Sequence, residues 1–281
     1  LRTRRQRQMC IRDSTGTEHL IAKIENNVGY LIMNRPEARN AMSSEMNVAL
    51  QEKIAEFELD EEVRCIVLTG AGNAFCAGGD VKGMNAKNAG DGETVTIDKA
   101  IHRQRDNQRG TSGKLYKMPK PTLASLPGAA AGAGLSYALS CDLRIMSSAA
   151  FMTTAFAKVG FSGDYGGSYF MTQLIGSAKA RELYFLSDRV SAEEALNLGL
   201  TNWVVDADDL EAKTREIAEQ LASGPSVAYR YMKENLNRAT NGDVDDCLDL
   251  EATHHVHCGQ TVDHKNAVKA FVEKKQPSFS G

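Results

Sequence analysis

The sequence predicts an α/β fold with a helical C-terminal region, and three observations predict it. Short apolar runs at 65–69, 122–126 and 143–146 have the length and side-chain character of buried strands. Stretches of small residues, Ala77-Gly78-Gly79-Asp80-Val81 and 128–134, read as strand ends that open helices. Beyond Gly160 the periodicity turns helical and stays so almost to the end. Strand, helix and strand in alternation indicate an α/β core. A chain of 281 residues with 42% hydrophobic content buries one large core, or a main domain with a small appendage.

Residues 21–24 and 30–33 read as a hairpin across Asn26-Asn27-Val28-Gly29. Ser43 is placed to cap a helix that carries Met46, Leu50, Ile54 and Phe57 on one face. After the 65–69 strand and the first Gly-rich loop, the polar stretch 85–92 predicts a mobile loop beside a pocket. Residues 97–117 read as one charged helix ended by Pro119 and Pro121. The strands at 122–126 and 143–146 enclose a helix over 133–140. Helices are then expected at 178–186, 191–198, 210–222 and 227–236, with two more up to Glu273. No repeat or long linker is visible in the chain.

Residues 1–14 stand apart. The run 4–14 resembles a translated sequencing adapter and is set aside from the fold; the alternative is a basic targeting arm. This segment holds five arginines against Asp13, a balance of +4, so the overall −3 becomes −7 for the remainder. An acidic remainder argues against nucleic acid and anionic membranes as partners, and leaves attraction to a phosphorylated ligand to local groups. No apolar run reaches membrane-spanning length. Cys65, Cys76, Cys141, Cys247 and Cys258 form no CxxC pair, which fits reduced thiols in a cytoplasmic protein. His254-His255-Val256-His257-Cys258 looks metal-like, but neighbours on a helix point apart, so no metal site is expected.

The chemistry is concentrated in the two small-residue loops. Unpaired N–H groups at two helix starts can converge on one developing oxyanion, such as a thioester enolate. Further segments stand in a specific order: Asn34-Arg35-Pro36-Glu37-Ala38-Arg39-Asn40-Ala41, Phe75-Cys76-Ala77-Gly78-Gly79-Asp80, Met118-Pro119-Lys120-Pro121, Gly132-Ala133-Gly134, Cys141-Asp142, 192–200 and Phe271-Val272-Glu273-Lys274. In this order they resemble the enoyl-CoA hydratase/isomerase (crotonase) superfamily over almost the whole chain after residue 15. The resemblance implies a crotonase-like ββα spiral core over 15–205 and a helical C-terminal trimerisation region over 206–281. It also implies an acyl-CoA thioester substrate, no cofactor beyond the coenzyme A of that substrate, and a homotrimer or dimer of trimers.

Carried over by position, the resemblance assigns the oxyanion hole to the amides of Gly79 and Ala133. It assigns substrate and CoA contacts to Arg35, Ala38, Arg39, Ala77, Gly78, Asp80, Val81, Phe156 and Lys274. Asp80 reads equally as a loop cap or a solvated turn residue, and Arg35 and Arg39 as phosphate partners or surface arginines. The two glutamates of ordinary hydratases are absent: Ser136 and Phe156 stand in their places. Ser136 could position water, but without a partner it is no base near neutral pH, and Phe156 cannot act at all.

One carboxylate remains, Asp164, in Gly160-Phe161-Ser162-Gly163-Asp164-Tyr165-Gly166-Gly167. Relatives that isomerise dienoyl-CoA or dehalogenate aryl-CoA carry an aspartate there. Asp164 is therefore expected to move the proton, with a helix N-cap as its structural alternative. Tyr165 and Tyr169 are near enough in sequence to offer a hydroxyl, while His102 is read as solvated. The expected function is isomerase-like, one-carboxylate chemistry through a stabilised enolate. The alternatives are hydration, an aspartate nucleophile of dehalogenase or thioester-hydrolase type, and a non-catalytic acyl-CoA-binding homologue.

Overall fold

The computed structural model describes residues 15–81, 83 and 95–281. The adapter-like segment and the 85–92 loop therefore lie outside the described residues. The chain enters with β1 (Leu20–Glu25) and β2 (Val28–Met33), an antiparallel hairpin. Asn26 and Asn27 both take positive φ between them, the backbone a two-residue hairpin turn demands. The turn is thus tighter than the sequence suggested, and Val28 and Gly29 belong to the strand.

Ser43 caps α1 (Ser44–Leu59) by accepting a hydrogen bond from Met46 N at 3.1 Å. Met46, Leu50, Ile54 and Phe57 of that helix are all buried, as the 3.6-residue spacing requires. The following strands come in pairs that divide between two sheets. The first members are β3 (Cys65–Gly70), β5 (Thr122–Leu126) and β7 (Leu143–Ser147). The second members are the three-residue strands β4 (Ala74–Cys76), β6 (Ala129–Ala131) and β8 (Phe151–Thr153). Each pair is followed by helix, and each turn of this ββα spiral adds one strand to each sheet. With the late strands β9 (Val190–Ser191) and β10 (Trp203–Val205), the sheets run β1-β2-β3-β5-β7-β10 and β4-β6-β8-β9.

The corners between paired strands stack closely. A Cβ on Gly128 would lie 2.0 Å from the Asn73 carbonyl oxygen, so only glycine fits between β5 and β6. The charged segment after the Gly-rich loop forms two helices, α2 (Ile97–Gly110) and α3 (Ser112–Lys117), where one was expected. Thr111 breaks it: its backbone leaves the helical region, and its N–H and hydroxyl both donate to the Asn107 carbonyl. The short helix α4 (Ala133–Ser140) is buried throughout.

Helix α5 (Gly167–Leu186) begins earlier than its periodicity predicts and is broken at Gly176, whose φ is +78. Helix α6 (Ala192–Leu198) is capped by Ser191. Helix α7 (Leu210–Ala222) packs Leu210, Ile217, Ala218 and Ala222 onto Val28, Cys65, Val67, Leu123 and Ile145 of the larger sheet. Helices α8 (Ser226–Ala239), α9 (Val244–Gln260) and α10 (Val262–Val272) complete the C-terminal region. Lys233 on α8 fastens it to the core: its ammonium donates to the carbonyls of Leu115 and Lys120 and to Asp142 Oδ2 at 2.8 Å. Within α9 the histidines do point apart. His254 is buried, stacked on Tyr231 and bonded to Asn235, while His255 is exposed. No helix of the described residues is long and apolar enough to cross a membrane.

Candidate active site

Two backbone segments meet where the spiral brings β4 beside β6. A Cβ placed on Gly78 would lie 2.7 Å from the Ala131 carbonyl oxygen and 3.4 Å from the Ala133 nitrogen. On the other side, a Cβ on Gly134 would strike Cys76 at 2.4 Å. Small residues therefore let the two loops touch. Gly132, at φ +52 and ψ −125, turns the chain so that Ala133 begins α4. The N–H of a first helical residue has no intrahelical acceptor. Among the described residues, neither Gly79 N–H nor Ala133 N–H donates to a protein atom. The two amides expected to form the oxyanion hole thus lie on loops that touch, and neither has a protein acceptor among the described residues.

The first of these loops is held by residues on its other flank. Asn40, fully buried at φ +56, donates to the carbonyls of Ala71 and Ala74 and accepts from Arg35 N. Met42 N donates to the Gly78 carbonyl at 2.8 Å, and Ala77 N to the Arg39 carbonyl. Arg35 reaches across to Asp80, with both terminal nitrogens 3.2 Å from Oδ2. Asp80 Oδ1 accepts from Gly83 N at 3.0 Å, the bond a cap of the loop makes. Arg35 orients this loop through Asp80; Arg39 is exposed, Ala38 half-buried, and Val81 exposed. Asn40 escaped the sequence reading, although its place within the 34–41 segment and its tolerance of positive φ were signals.

A cavity of about 430 Å³ opens at this point, lined by Gly79, Asp80, Arg35, Met42, the first turn of α1, His19, Gln104, Asp164 and Tyr165. It brings Gly79 and Asp164 together. Ala133 and Lys274 do not line it; Lys274 lies on the exposed tail after α10. Ser136 is buried and does not line it; its hydroxyl donates to the Gly132 carbonyl at 3.3 Å. Phe156 is buried, stacked on Tyr184 with centroids 5.9 Å apart and close to Gly132. Tyr169 points elsewhere, toward Thr240 and Asn241, and His102 is exposed.

Three carboxylates line the cavity, and they differ. Glu45 is exposed and held below the usual range by the backbone N–H and Ser43 at the start of α1. Asp80 is paired with Arg35. Asp164 has neither cation nor hydrogen-bond donor among the described residues; its Oδ1 is buried without a partner. Burial raises its pKa to about 6. The N-cap of helix α5 is Gly166, with no side-chain cap, so Asp164 is not the N-cap its sequence context allowed. Its other titratable neighbours stay neutral: burial pushes the Tyr165 hydroxyl and the Cys76 thiol each up to about 12, and Tyr184 higher still. Gln104, Gln108 and Tyr184 were not singled out from the sequence; only the i, i+4 spacing of the two glutamines marks one helix face.

The sequence profile of the family described as enoyl-CoA hydratase/isomerase matches residues 23–281. The 1,2-epoxyphenylacetyl-CoA isomerase of Escherichia coli (strain K12) is 33% identical over 264 residues, covering 94% of this chain and 99% of that protein. The short-chain-enoyl-CoA hydratase of Clostridium acetobutylicum is 34% identical, covering 92% and 96%. Among solved structures, an enoyl-CoA hydratase from Polaromonas sp. JS666 superposes with a TM-score of 0.85 at 30% identity, over 92% of this chain and 99% of that one.

Proposed function

This chain belongs to the enoyl-CoA hydratase/isomerase family, whose members act on acyl-CoA thioesters, and we propose that it shifts a double bond in its acyl group by one-carboxylate proton transfer. Asp164 takes a proton from the acyl chain, the amides of Gly79 and Ala133 hold the resulting enolate oxygen, and Asp164 returns the proton at another carbon. The observation that carries this reading is the solitary, desolvated carboxyl of Asp164 in the cavity that Gly79 also lines. A carboxyl of pKa about 6 is ionised at neutral pH yet gives its proton back readily. Ser136 turned into the Gly132 carbonyl and Phe156 stacked on Tyr184 support leaving the two-glutamate hydration route aside. Relatives bearing both isomerase and hydratase names are consistent with a family that keeps the oxyanion hole and varies the acid–base groups.

The test uses saturated, 2-enoyl, 3-enoyl, dienoyl and aryl CoA thioesters in deuterated water, with wild-type protein and Asp164→Asn. Deuterium entering the acyl chain with a moved double bond, and lost in the variant, is the expected result. Added water would make the protein a hydratase, and label exchange undiminished in Asp164→Asn would remove Asp164 from the mechanism. The exposed apolar residues Leu248, Val256 and Phe271 on α9 and α10 support assembly as a trimer, which light scattering checks.

A further inference from the structure

The turn that carries Asp164 is strained in one place. Gly163 and Gly166 adopt φ of +112 and +78, which glycine does at no steric cost. Tyr165 between them also sits at φ +50, an outlier for a bulky side chain and a strained one. Such a conformation persists only where the surroundings hold it. Here the holder is visible: the Tyr165 N–H donates to Gln108 Oε1 at 2.5 Å, a contact 57 residues away in the chain. One turn earlier on α2, Gln104 bonds the Tyr165 side chain, which also meets Tyr137 edge-on at 4.8 Å. Two glutamines at i, i+4 thus grip the backbone and the ring of the residue next to Asp164.

We infer that Gln108 is a positioning residue, which locks Tyr165 in the left-handed conformation and thereby holds the Asp164 carboxyl in its water-poor place in the cavity that Gly79 also lines. If Tyr165 relaxed to negative φ, the peptide between 164 and 165 would rotate and carry the aspartate with it. The turn is otherwise closed only by Gly167 N donating to the Asp164 carbonyl at 3.1 Å, which does not fix the side chain. Gln108 touches no reacting atom and acts through the backbone. This inference rests on Asp164 being the proton carrier, but the clamp itself can be measured without substrate.

The experiment labels the aspartates of the full chain with ¹³C and follows the Asp164 carboxyl by NMR across pH, Asp164→Asn identifying its signal. Gln108→Leu removes the acceptor, and Gln108→Glu keeps an acceptor while adding charge. With Leu, the Asp164 midpoint is expected to fall by about one pH unit as water reaches the carboxyl. Turnover of the thioester that the deuterium experiment identifies should drop about 10–100-fold, with KM nearly unchanged. With Glu, turnover is expected to stay within a few-fold of wild type and the midpoint to rise, because a second negative charge now faces the carboxyl.

An unmoved midpoint in Gln108→Leu overturns the clamp whatever the turnover shows. Should that variant not fold, Gln108→Ala decides by the same reading: a lowered midpoint supports the clamp and an unmoved one ends it. Full turnover in Asp164→Asn would instead remove the proton-carrier reading, leaving the titration to judge the clamp alone.

Discussion

Two half-buried aspartates, Asp142 and Asp164, stand in the same fold and are treated in opposite ways. Asp142, at the start of β7, accepts from Thr122 N, Thr122 Oγ1 and Lys233 Nζ, all within 2.9 Å. Asp164, at the start of α5, receives no donor among the described residues and is pushed to a pKa of about 6. Hydrogen bonds and a cation make the first a fastener between core and C-terminal helices. Their absence leaves the second reluctant to hold charge, which is the condition for moving a proton at neutral pH. The difference lies in neighbours, since the residue type is the same.

Amide substitution should break this comparison cleanly. Asp164→Asn keeps the shape of the turn and removes the proton carrier, so turnover is expected to fall about 10³-fold or more. In Asp142→Asn the Lys233 ammonium, only 8% exposed, loses its counter-charge. That should cost about 3 kcal/mol of unfolding free energy and leave turnover per folded molecule within a few-fold. Denaturant melts and active-site-normalised rates on both variants check the pair. A rate loss in Asp142→Asn equal to that in Asp164→Asn would erase the distinction.

How much of this was legible in the sequence follows the same division. The long strands of the larger sheet and helices such as α1, α4 and α7 were readable, because buried runs and 3.6-residue spacing are local signals. The smaller sheet was not: β4, β6 and β8 have three residues each, too few to show a period, and their pairing is set by the corners. At the site, small residues and a leftover carboxylate pointed to Gly78, Gly79, Ala133 and Asp164. The sequence could not say that Arg35 would be spent on Asp80, or that Ser136 would face Gly132. Both depend on contacts across the fold. Gln108 was invisible for the same reason, since its partner lies 57 residues away.

The raised pKa of Asp164 is also a statement about stability. A carboxyl titrating at about 6 when folded and near 3.8 when unfolded makes the folded state bind more protons between those values. Stability contributed by the protonated form is therefore present below about pH 4 and lost as pH rises through 6. Allowing for the part of the group that water reaches, the loss is on the order of 2 kcal/mol at pH 7.5. Asp164→Asn carries no charge to desolvate, so it should melt higher than wild type at pH 7.5 and at nearly the same temperature at pH 4. As a base, Asp164 must be ionised, so kcat/KM should fall about tenfold per pH unit below 6. Opposite trends in rate and stability across one pH interval would tie both to a single group.

The smallest effect concerns how the turn is seated. Gly167 lies against α4 so closely that a Cβ would come 2.2 Å from Ser136 Oγ and 2.7 Å from the Tyr184 hydroxyl. Gly167→Ala should therefore cost about 1–3 kcal/mol from overpacking, although its backbone is already helical. Ser136→Ala removes the nearer atom and only a long hydrogen bond to Gly132, so alone it should cost about 0.5 kcal/mol. Together the two should recover roughly 1 kcal/mol relative to their sum. Rates on Ser136→Ala add a second reading: a hydroxyl that only packs can be removed with turnover within a few-fold. A loss of 10²-fold or more there, with stability intact, would return Ser136 to the chemistry and bring the hydration route back. The geometry instead gives Ser136 a packing task, seating the first residue of α5 against α4.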